Sequence, residues 1–235
     1  MTEFFRFPHT PHLAWLGPGK PRDDKVLAPH EMHELLAHGV VVEEKVDGAN
    51  LGFSVGEDGT LLAQNRGGYL DLGSSSGQWK PLGRWMTTHR DALIQALGPG
   101  RILFGEWCYA VHSVRYTRLP DWFLAFDVYD RDGAEFWDTM RRDDLARAIG
   151  LEIVPRRNEG CVTVENLKSL LDSSALSEGP AEGVYIRREH GGRLLSRAKL
   201  VSARFTQSIE THWSRRRLET NKLMSTLRST PTSMR

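Results

Sequence analysis

Cysteine is scarce in this chain, with only Cys108 and Cys161 among 235 residues. Two cysteines build neither a disulfide framework nor a four-cysteine zinc site, so a reducing compartment such as the cytoplasm is the expected setting. Long apolar runs are lacking as well. Residues 1–8 hold three phenylalanines but no stretch long enough for a signal peptide, and nothing downstream approaches membrane-spanning length. An excess of one charge is also missing: 31 Lys and Arg face 30 Asp and Glu, a formal charge of +1. That balance hides an asymmetry, because residues 202–235 hold seven basic against two acidic side chains and leave the preceding 201 at −4. His30, His33 and His38 invite a zinc reading, but the paired-histidine helix motif of metalloproteases needs a histidine where Glu34 stands, so they are read as surface histidines. What remains is ordinary: 40% hydrophobic and 26% charged residues describe a globular chain long enough for one large domain or two small ones.

Residues 1–30 are rich in proline, histidine and aromatics without a clean period, and read as irregular coverage of a domain edge. A short helix is expected over 30–38. Alternation predicts strands over 40–45 and 51–55, the latter returning through a Gly56-Glu57-Asp58-Gly59 turn into 61–65. After a glycine- and serine-rich loop at 67–78, Trp85, Met86, Leu93, Ile94 and Leu97 recur at helical spacing until Gly98-Pro99-Gly100 stops the element. Strands follow over 102–108 and 123–129, then amphipathic helices over 139–149 and 164–171, and a loop over 173–180. A hairpin then pairs 182–187 with 194–200 around His190-Gly191-Gly192. A last helix is expected over 203–217, and the Ser/Thr/Arg-rich segment from about 219 lacks the apolar content to pack.

The most informative stretch is Lys45-Val46-Asp47-Gly48, reached from the apolar run Val40-Val41-Val42 and followed by Ala49-Asn50. A lysine at the mouth of a buried strand sheds part of its hydration, which is expected to lower its pKa and raise the fraction of neutral amine able to attack phosphorus. Gly48 lets the backbone approach a phosphate closely, and Asp47 sets a carboxylate beside the amine, where it can bind metal or polarise Lys45. Alone, Lys-x-Asp-Gly is more often a solvated turn. Here it is followed in order by Asn65-Arg66, Phe104-Gly105-Glu106-Trp107, Phe126-Asp127-Val128-Tyr129, Ala181-Glu182-Gly183-Val184 and Arg197-Ala198-Lys199-Leu200-Val201. Each ends an expected strand with a residue type that nucleotidyl transfer requires. Glu106, flanked by Phe104 and Trp107, needs a partner in so apolar a strand. Phe126 on its own reads as a core aromatic.

Together these segments resemble the covalent nucleotidyltransferase superfamily of ATP-dependent polynucleotide ligases and mRNA capping enzymes, most closely its small RNA ligases, over residues 40–213. The resemblance implies that Lys45 is the nucleophile, that Asn50 is the asparagine found two residues past the glycine in RNA ligases, and that Glu44 contacts the adenine amino group. It implies that Arg66 contacts ribose and phosphate, Glu106 reads ribose hydroxyls, and Phe126, beside Asp127, stacks on the purine. Glu182, with Asp47, would hold metal, and Arg197 and Lys199 would lie on the phosphates. Arg197 stands where the family normally has lysine, which keeps the charge and alters the hydrogen-bond geometry. Phe205-Thr206-Gln207 through His212-Trp213 also looks like the family's sequence after its last motif.

The fold implied is α+β, of the nucleotidyltransferase (ATP-grasp-like) type, with antiparallel sheets, flanking helices and the nucleotide between the sheets. The activity implied is ATP-dependent joining of RNA ends in three steps with Mg²⁺ or Mn²⁺, in cytoplasmic RNA repair, with DNA as another acceptor and no membrane. After Trp213 only about twenty residues remain, too few for the oligonucleotide-binding barrel of DNA ligases and capping enzymes. The expectation is therefore a stand-alone catalytic domain at 40–217, an amino-terminal extension at 1–39 packed on it, and a flexible basic tail at 218–235, with a separate strand-binding or end-processing partner. Arg204, Arg215, Arg216 and Arg217 would contact strand phosphates, although such a run is more often a solvated helix end. Two other classes remain: a DNA ligase or guanylyl-transferring enzyme using the same lysine, and a nucleic-acid-binding protein with a relict site.

Overall fold

The computed structural model describes residues 3–18, 25–73, 76–208 and 217–224. In chain order its elements are α1 (Pro29–Leu36), β1 (Val40–Lys45), β2 (Ala49–Val55), β3 (Leu61–Gln64), α2 (Leu82–Leu97), β4 (Arg101–Trp107), β5 (Phe123–Asp130), β6 (Glu135–Phe136), α3 (Thr139–Ala148), β7 (Glu152–Ile153), β8 (Arg156–Gly160), α4 (Val164–Ser169), β9 (Gly183–His190), β10 (Arg193–Val201) and α5 (Ala203–Ser208). One sheet runs β10-β9-β1-β8 and the other β3-β2-β4-β5-β6, both antiparallel, with β7 added parallel to β5. The expected α+β architecture of antiparallel sheets with outer helices is what the chain adopts.

Because strand side chains alternate, each sheet offers two faces, and both are covered. Val40 and Val42 on β1, Val184 and Ile186 on β9, and Ala198 and Leu200 on β10 pack outward against Leu35 of α1 and Leu167 of α4. Leu51 and Phe53 of β2, Leu103 of β4 and Phe123 of β5 pack outward against Leu82, Trp85, Met86 and Leu93 of α2. A third cluster fills the space between the sheets: Val46, Phe7, Phe104, Leu124, Phe126 and Tyr116. Fully burying each such side chain contributes about 1.5–3 kcal/mol, so Phe7, with the partly buried Phe5 packed against the same cluster, belongs to the core in all but sequence pattern.

Charged groups also bridge the sheets. Arg142 of α3 is fully buried; it pairs with Glu43 of β1 at 2.6 Å and donates to the Phe126 carbonyl at 2.7 Å. Arg187 of β9 pairs with Asp127 of β5 at 2.7 Å. Such pairs add little net stability over apolar substitutes, but losing one partner leaves a stranded charge, so they fix how the sheets register.

Several expectations need correction. β8, with the sequence Arg-Arg-Asn-Glu-Gly, carries no apolar alternation and escapes pattern reading; it forms because β1 needs a partner on that edge. The expected helix over 164–171 ends at Ser169, and a short 3₁₀ turn covers Leu170–Asp172. Of the helix expected over 203–217, α5 covers 203–208, Arg217 lies in no helix, and 209–216 lie outside the described residues. The segment read as a flexible tail from 218 is mostly exposed over its described part but tied down: Asn221 is buried and hydrogen-bonds to a loop, and Leu223 packs against the cluster between the sheets. Residues 11–13 line the outer edge of β10, with Lys199 N donating to Pro11 O and Leu13 N to Lys199 O. No described helix is long and apolar enough to cross a membrane.

Candidate active site

Lys45 is the last residue of β1, opposite Gly183 of β9, so Glu182 arrives at its side from the neighbouring strand. Both Glu182 oxygens lie 2.6 Å from Lys45 Nζ. The two side chains keep 18% and 14% exposure, enough for a ligand to reach them. Past Lys45 the chain turns through Asp47 and Gly48 into β2. Gly48 N donates to Glu106 of β4 at 3.0 Å. A Cβ on Gly48 would stand 2.6 Å from the Trp107 carbonyl oxygen, so this crossing of β1 over the second sheet requires glycine. Asn50 faces Glu106 in register across β2 and β4.

The Asp47 carboxylate accepts hydrogen bonds from the Ser113 and Val114 amides at 2.6 and 2.9 Å, and Asp47 N donates to the Tyr116 hydroxyl at 2.8 Å. Asp47 thus fixes a loop beside the lysine. Tyr116 is fully buried, which keeps its phenol protonated.

Three carboxylates crowd one ammonium in a buried place, and that explains the ionisation of all of them. Burial pulls Lys45 down, but the charges of Glu182, Tyr185, Glu106 and Asp47 outweigh it and hold the ammonium above the usual lysine range. The expected lowering of its pKa is therefore corrected: at rest the amine is protonated and ion-paired. Burial pushes Glu106 up to about 8, with Lys45 opposing and Glu182 and Asp47 adding. Burial likewise pushes Glu182 up to about 7 against the pull of Lys45, Asp47 adding and Lys199 opposing. The ammonium gains from the crowd while the carboxylates repel one another. Among the described residues no group of three or more histidines, cysteines or carboxylates closes into a metal cage. Carboxyl groups that are held partly protonated beside one ammonium instead suit a divalent ion, whose charge would favour their ionised form and which keeps waters and phosphate oxygens as most of its ligands.

The structure brings Lys45, Asp47, Asn50, Glu106, Glu182 and Lys199 together around the Asp47–Gly48 crossing from one sheet to the other, with Arg66, itself exposed, close enough to act on Glu106. Of the other expected residues, Glu44, Phe126, Asp127 and Arg197 have partners of their own. Glu44 points to the opposite face of β1, where Arg157 Nη1, Ser174 Oγ and Ala175 N bind its carboxylate at 2.7, 2.5 and 2.8 Å. Arg197 pairs with Asp127 at 2.5 Å and lies over the rings of Phe7 and Phe136, 4.6 and 4.5 Å from their centroids. Phe126 is 9% exposed and meets Phe7 edge-on at 5.3 Å. Arg204 is exposed on α5, Arg217 is exposed, and Arg215 and Arg216 lie outside the described residues. Sequence reading missed Ser113, Val114, Tyr116 and Tyr185; the first three reach the site through a loop with no periodic pattern, so no local signal could have found them.

The family model described as RNA ligase matches residues 38–201. No curated protein matches the sequence. Among solved structures, a lysine-to-alanine mutant of Naegleria gruberi RNA ligase with ATP and Mn superposes at a TM-score of 0.64 and 18% identity, covering 85% of this chain and 57% of that one. The Naegleria gruberi RNA ligase with PPi gives 0.59 and 20%, covering 76% and 53%. A lysine-to-methionine mutant of it with AMP and Mn gives 0.57 and 19%, covering 74% and 53%. The likeness establishes the shared fold, and the chain spans a little over half the length of those structures.

Proposed function

This chain belongs to the RNA ligase family, and from that premise we propose that it is an ATP-dependent RNA ligase joining a 5′-phosphate to a 3′-hydroxyl through a lysine-AMP intermediate. The observation that supports this most is the Lys45–Glu182 contact beside the Asp47–Gly48 crossing, with both oxygens at 2.6 Å. Lys45 must lose a proton before it can attack. Glu182 is within reach of it, and a carboxyl raised to about 7 is a stronger base than an ordinary carboxylate, although the transfer stays uphill while the ammonium is held above the usual lysine range. Lys199 and Arg66 would offset the phosphate charge of an incoming nucleotide, which also lowers the cost of deprotonating the amine. Nζ then bonds to the α-phosphorus while the bond to the bridging oxygen breaks, and pyrophosphate departs with the electron pair. AMP next passes to the RNA 5′-phosphate, and the 3′-hydroxyl displaces it.

The relatives solved with ATP, AMP and Mn support the same nucleotide and a divalent ion, Mg²⁺ or Mn²⁺, here. When bound, such an ion supplies charge neutralisation on the phosphate oxygens. Glu182 would hold it, with Asp47 and Glu106 adjacent. Cytoplasmic RNA repair, with a separate strand-binding partner, is the setting we assign to this activity.

Incubation with α-labelled ATP or GTP, followed by denaturing gels of wild type and Lys45→Ala, tests the reading. Label from ATP that requires Lys45, with sealing of RNA ends, is expected. Label that persists in Lys45→Ala would remove the nucleophile; label from GTP alone, or sealing restricted to DNA, would move the protein to another nucleotidyltransferase class.

A further inference from the structure

We propose that residues 219–223 form a strap, and that Asn221 is a positioning residue for the Asp47–Gly48 turn beside Lys45. Asn221 is 3% exposed, although its neighbours Thr220 and Lys222 are exposed. Its Nδ2 donates to the carbonyls of Cys108 and Ala110 at 2.8 and 3.1 Å, and its Oδ1 accepts from Tyr116 N at 2.8 Å. One side chain therefore satisfies three backbone groups of a single loop, which an apolar residue of the same size would leave buried and unbonded. The main chain adds to this: Asn221 N donates to Tyr109 O at 3.0 Å, Lys222 N to Tyr116 O at 3.1 Å, and Val111 N to Glu219 O at 2.9 Å.

The far side of the same loop grips the site. Ser113 N and Val114 N donate to the Asp47 carboxylate, and the Tyr116 hydroxyl accepts from Asp47 N. Residues 108–119 have no helix or continuous strand to stiffen them, so, apart from Cys108 N bonded to Trp122 O and two amides bonded to Leu176 O, the loop's backbone bonds run to the strap on one side and to Asp47 on the other. Tyr116 joins the two sides directly: its backbone is held by Asn221 and Lys222, and its hydroxyl holds Asp47. Loosening the strap shifts Asp47, and with it the Gly48 amide bonded to Glu106, relative to Lys45. Misplacement by about 1 Å at a reacting centre is worth up to about 100-fold in rate.

The inference rests on the proposal that Lys45 takes the nucleotide, so the test has one readout that needs no turnover. Amide hydrogen exchange of the nucleotide-free full chain is measured in wild type, Asn221→Leu, Asn221→Ser and Lys222→Ala. Exchange at Asp47, Ser113 and Val114 should speed up about 10-fold or more in Asn221→Leu, less in Asn221→Ser, and stay at the wild-type rate in Lys222→Ala, where only the main chain is engaged. The second readout is covalent labelling with ATP. Asn221→Leu should lower the saturated rate about 10- to 100-fold while the half-saturating ATP concentration moves less than about threefold, and adding Tyr116→Phe should cost nothing further. Asn221→Ser keeps a hydroxyl in place and serves if the leucine variant fails to fold. Unchanged exchange at Asp47, or losses that multiply in the double variant, would overturn the strap. A wild type that takes no label while Asn221 variants still deprotect Asp47 would instead overturn the ligase reading and leave the strap standing.

Discussion

Raising the pH from about 6 to about 9 should weaken the nucleotide-free fold, with Glu106 as the main cause. In the folded protein its carboxyl is lifted from 4.5 to about 8, by burial first, against Lys45 and with the help of Glu182 and Asp47. Between those two values the folded state carries one proton more than the unfolded chain. Each unit of rising pH in that window therefore costs about 1.4 kcal/mol; the contribution is complete below the unfolded value and is lost as pH climbs through the folded one. From about pH 6 upward the loss amounts to about 3 kcal/mol, or a fall in Tm of about 6–12 °C for a domain of this size. Glu106→Gln keeps the shape and the oxygen that accepts from Gly48 N, now 3.0 Å away, and cannot titrate. It should match the wild type near about pH 6 and exceed it by that margin near about pH 9, read by scanning calorimetry. A difference between the two proteins that stays flat across this range would refute the argument that burial keeps Glu106 protonated. A divalent ion that binds the folded site should narrow the gap at the alkaline end, because the ionised carboxylate then has a counter-charge.

Gly48→Ala places a methyl group 2.6 Å from the Trp107 oxygen and 3.0 Å from Glu106 Cγ; the backbone must move, and urea unfolding should show a loss of about 1–3 kcal/mol together with slower labelling. Arg142→Met takes from buried Glu43 its partner at 2.6 Å and leaves it Arg187 at 3.8 Å, while Asp143 keeps Arg147 and Arg156 at 3.4 and 3.3 Å; it should cost about 3 kcal/mol in the same measurement, the sign of the effect distinguishing a broken pair from an apolar replacement of the whole network. Arg197→Lys gives up the planar contact over Phe7 and Phe136. It should lose about 1–2 kcal/mol of stability while labelling from ATP stays within about threefold of wild type, since the structure ties this residue to Asp127; a far larger loss of labelling with intact stability would return Arg197 to the phosphates.

The strands that carry the site were legible because their chemistry sits at strand ends, where alternation stops and a charged residue stands out. Lys45 ends β1, whose bounds are those its valine run suggests, and Glu106 stands one residue before the end of β4, whereas Lys199 lies within β10 and was singled out, with Glu182, by the resemblance of the ordered motifs. Less legible were features whose partners are far away in the chain. Nothing around Arg156 marks a strand, because β8 is defined by the edge of β1 and not by its own side chains. The aromatic character of Phe5 and Phe7 was visible, but their place between the sheets depends on Tyr129, Phe104 and Phe126. The protonation of Lys45 was misjudged for a related reason: burial alone lowers a lysine, and only the fold shows how many carboxylates surround it. Asn221 looked like a residue of an unstructured segment because one polar side chain making three backbone bonds leaves no periodic trace.

Pro11 and Leu13 occupy the hydrogen-bonding groups of Lys199 that would otherwise face outward. An exposed sheet margin of this kind recruits other chains into the same pairing. Shortening the protein past Leu13, a common step toward better-behaved samples, would thus create an adhesive border beside Lys199, one of the cations proposed to face the nucleotide. Such a variant should self-associate, and loss of activity in it would report blocked access and not faulty chemistry.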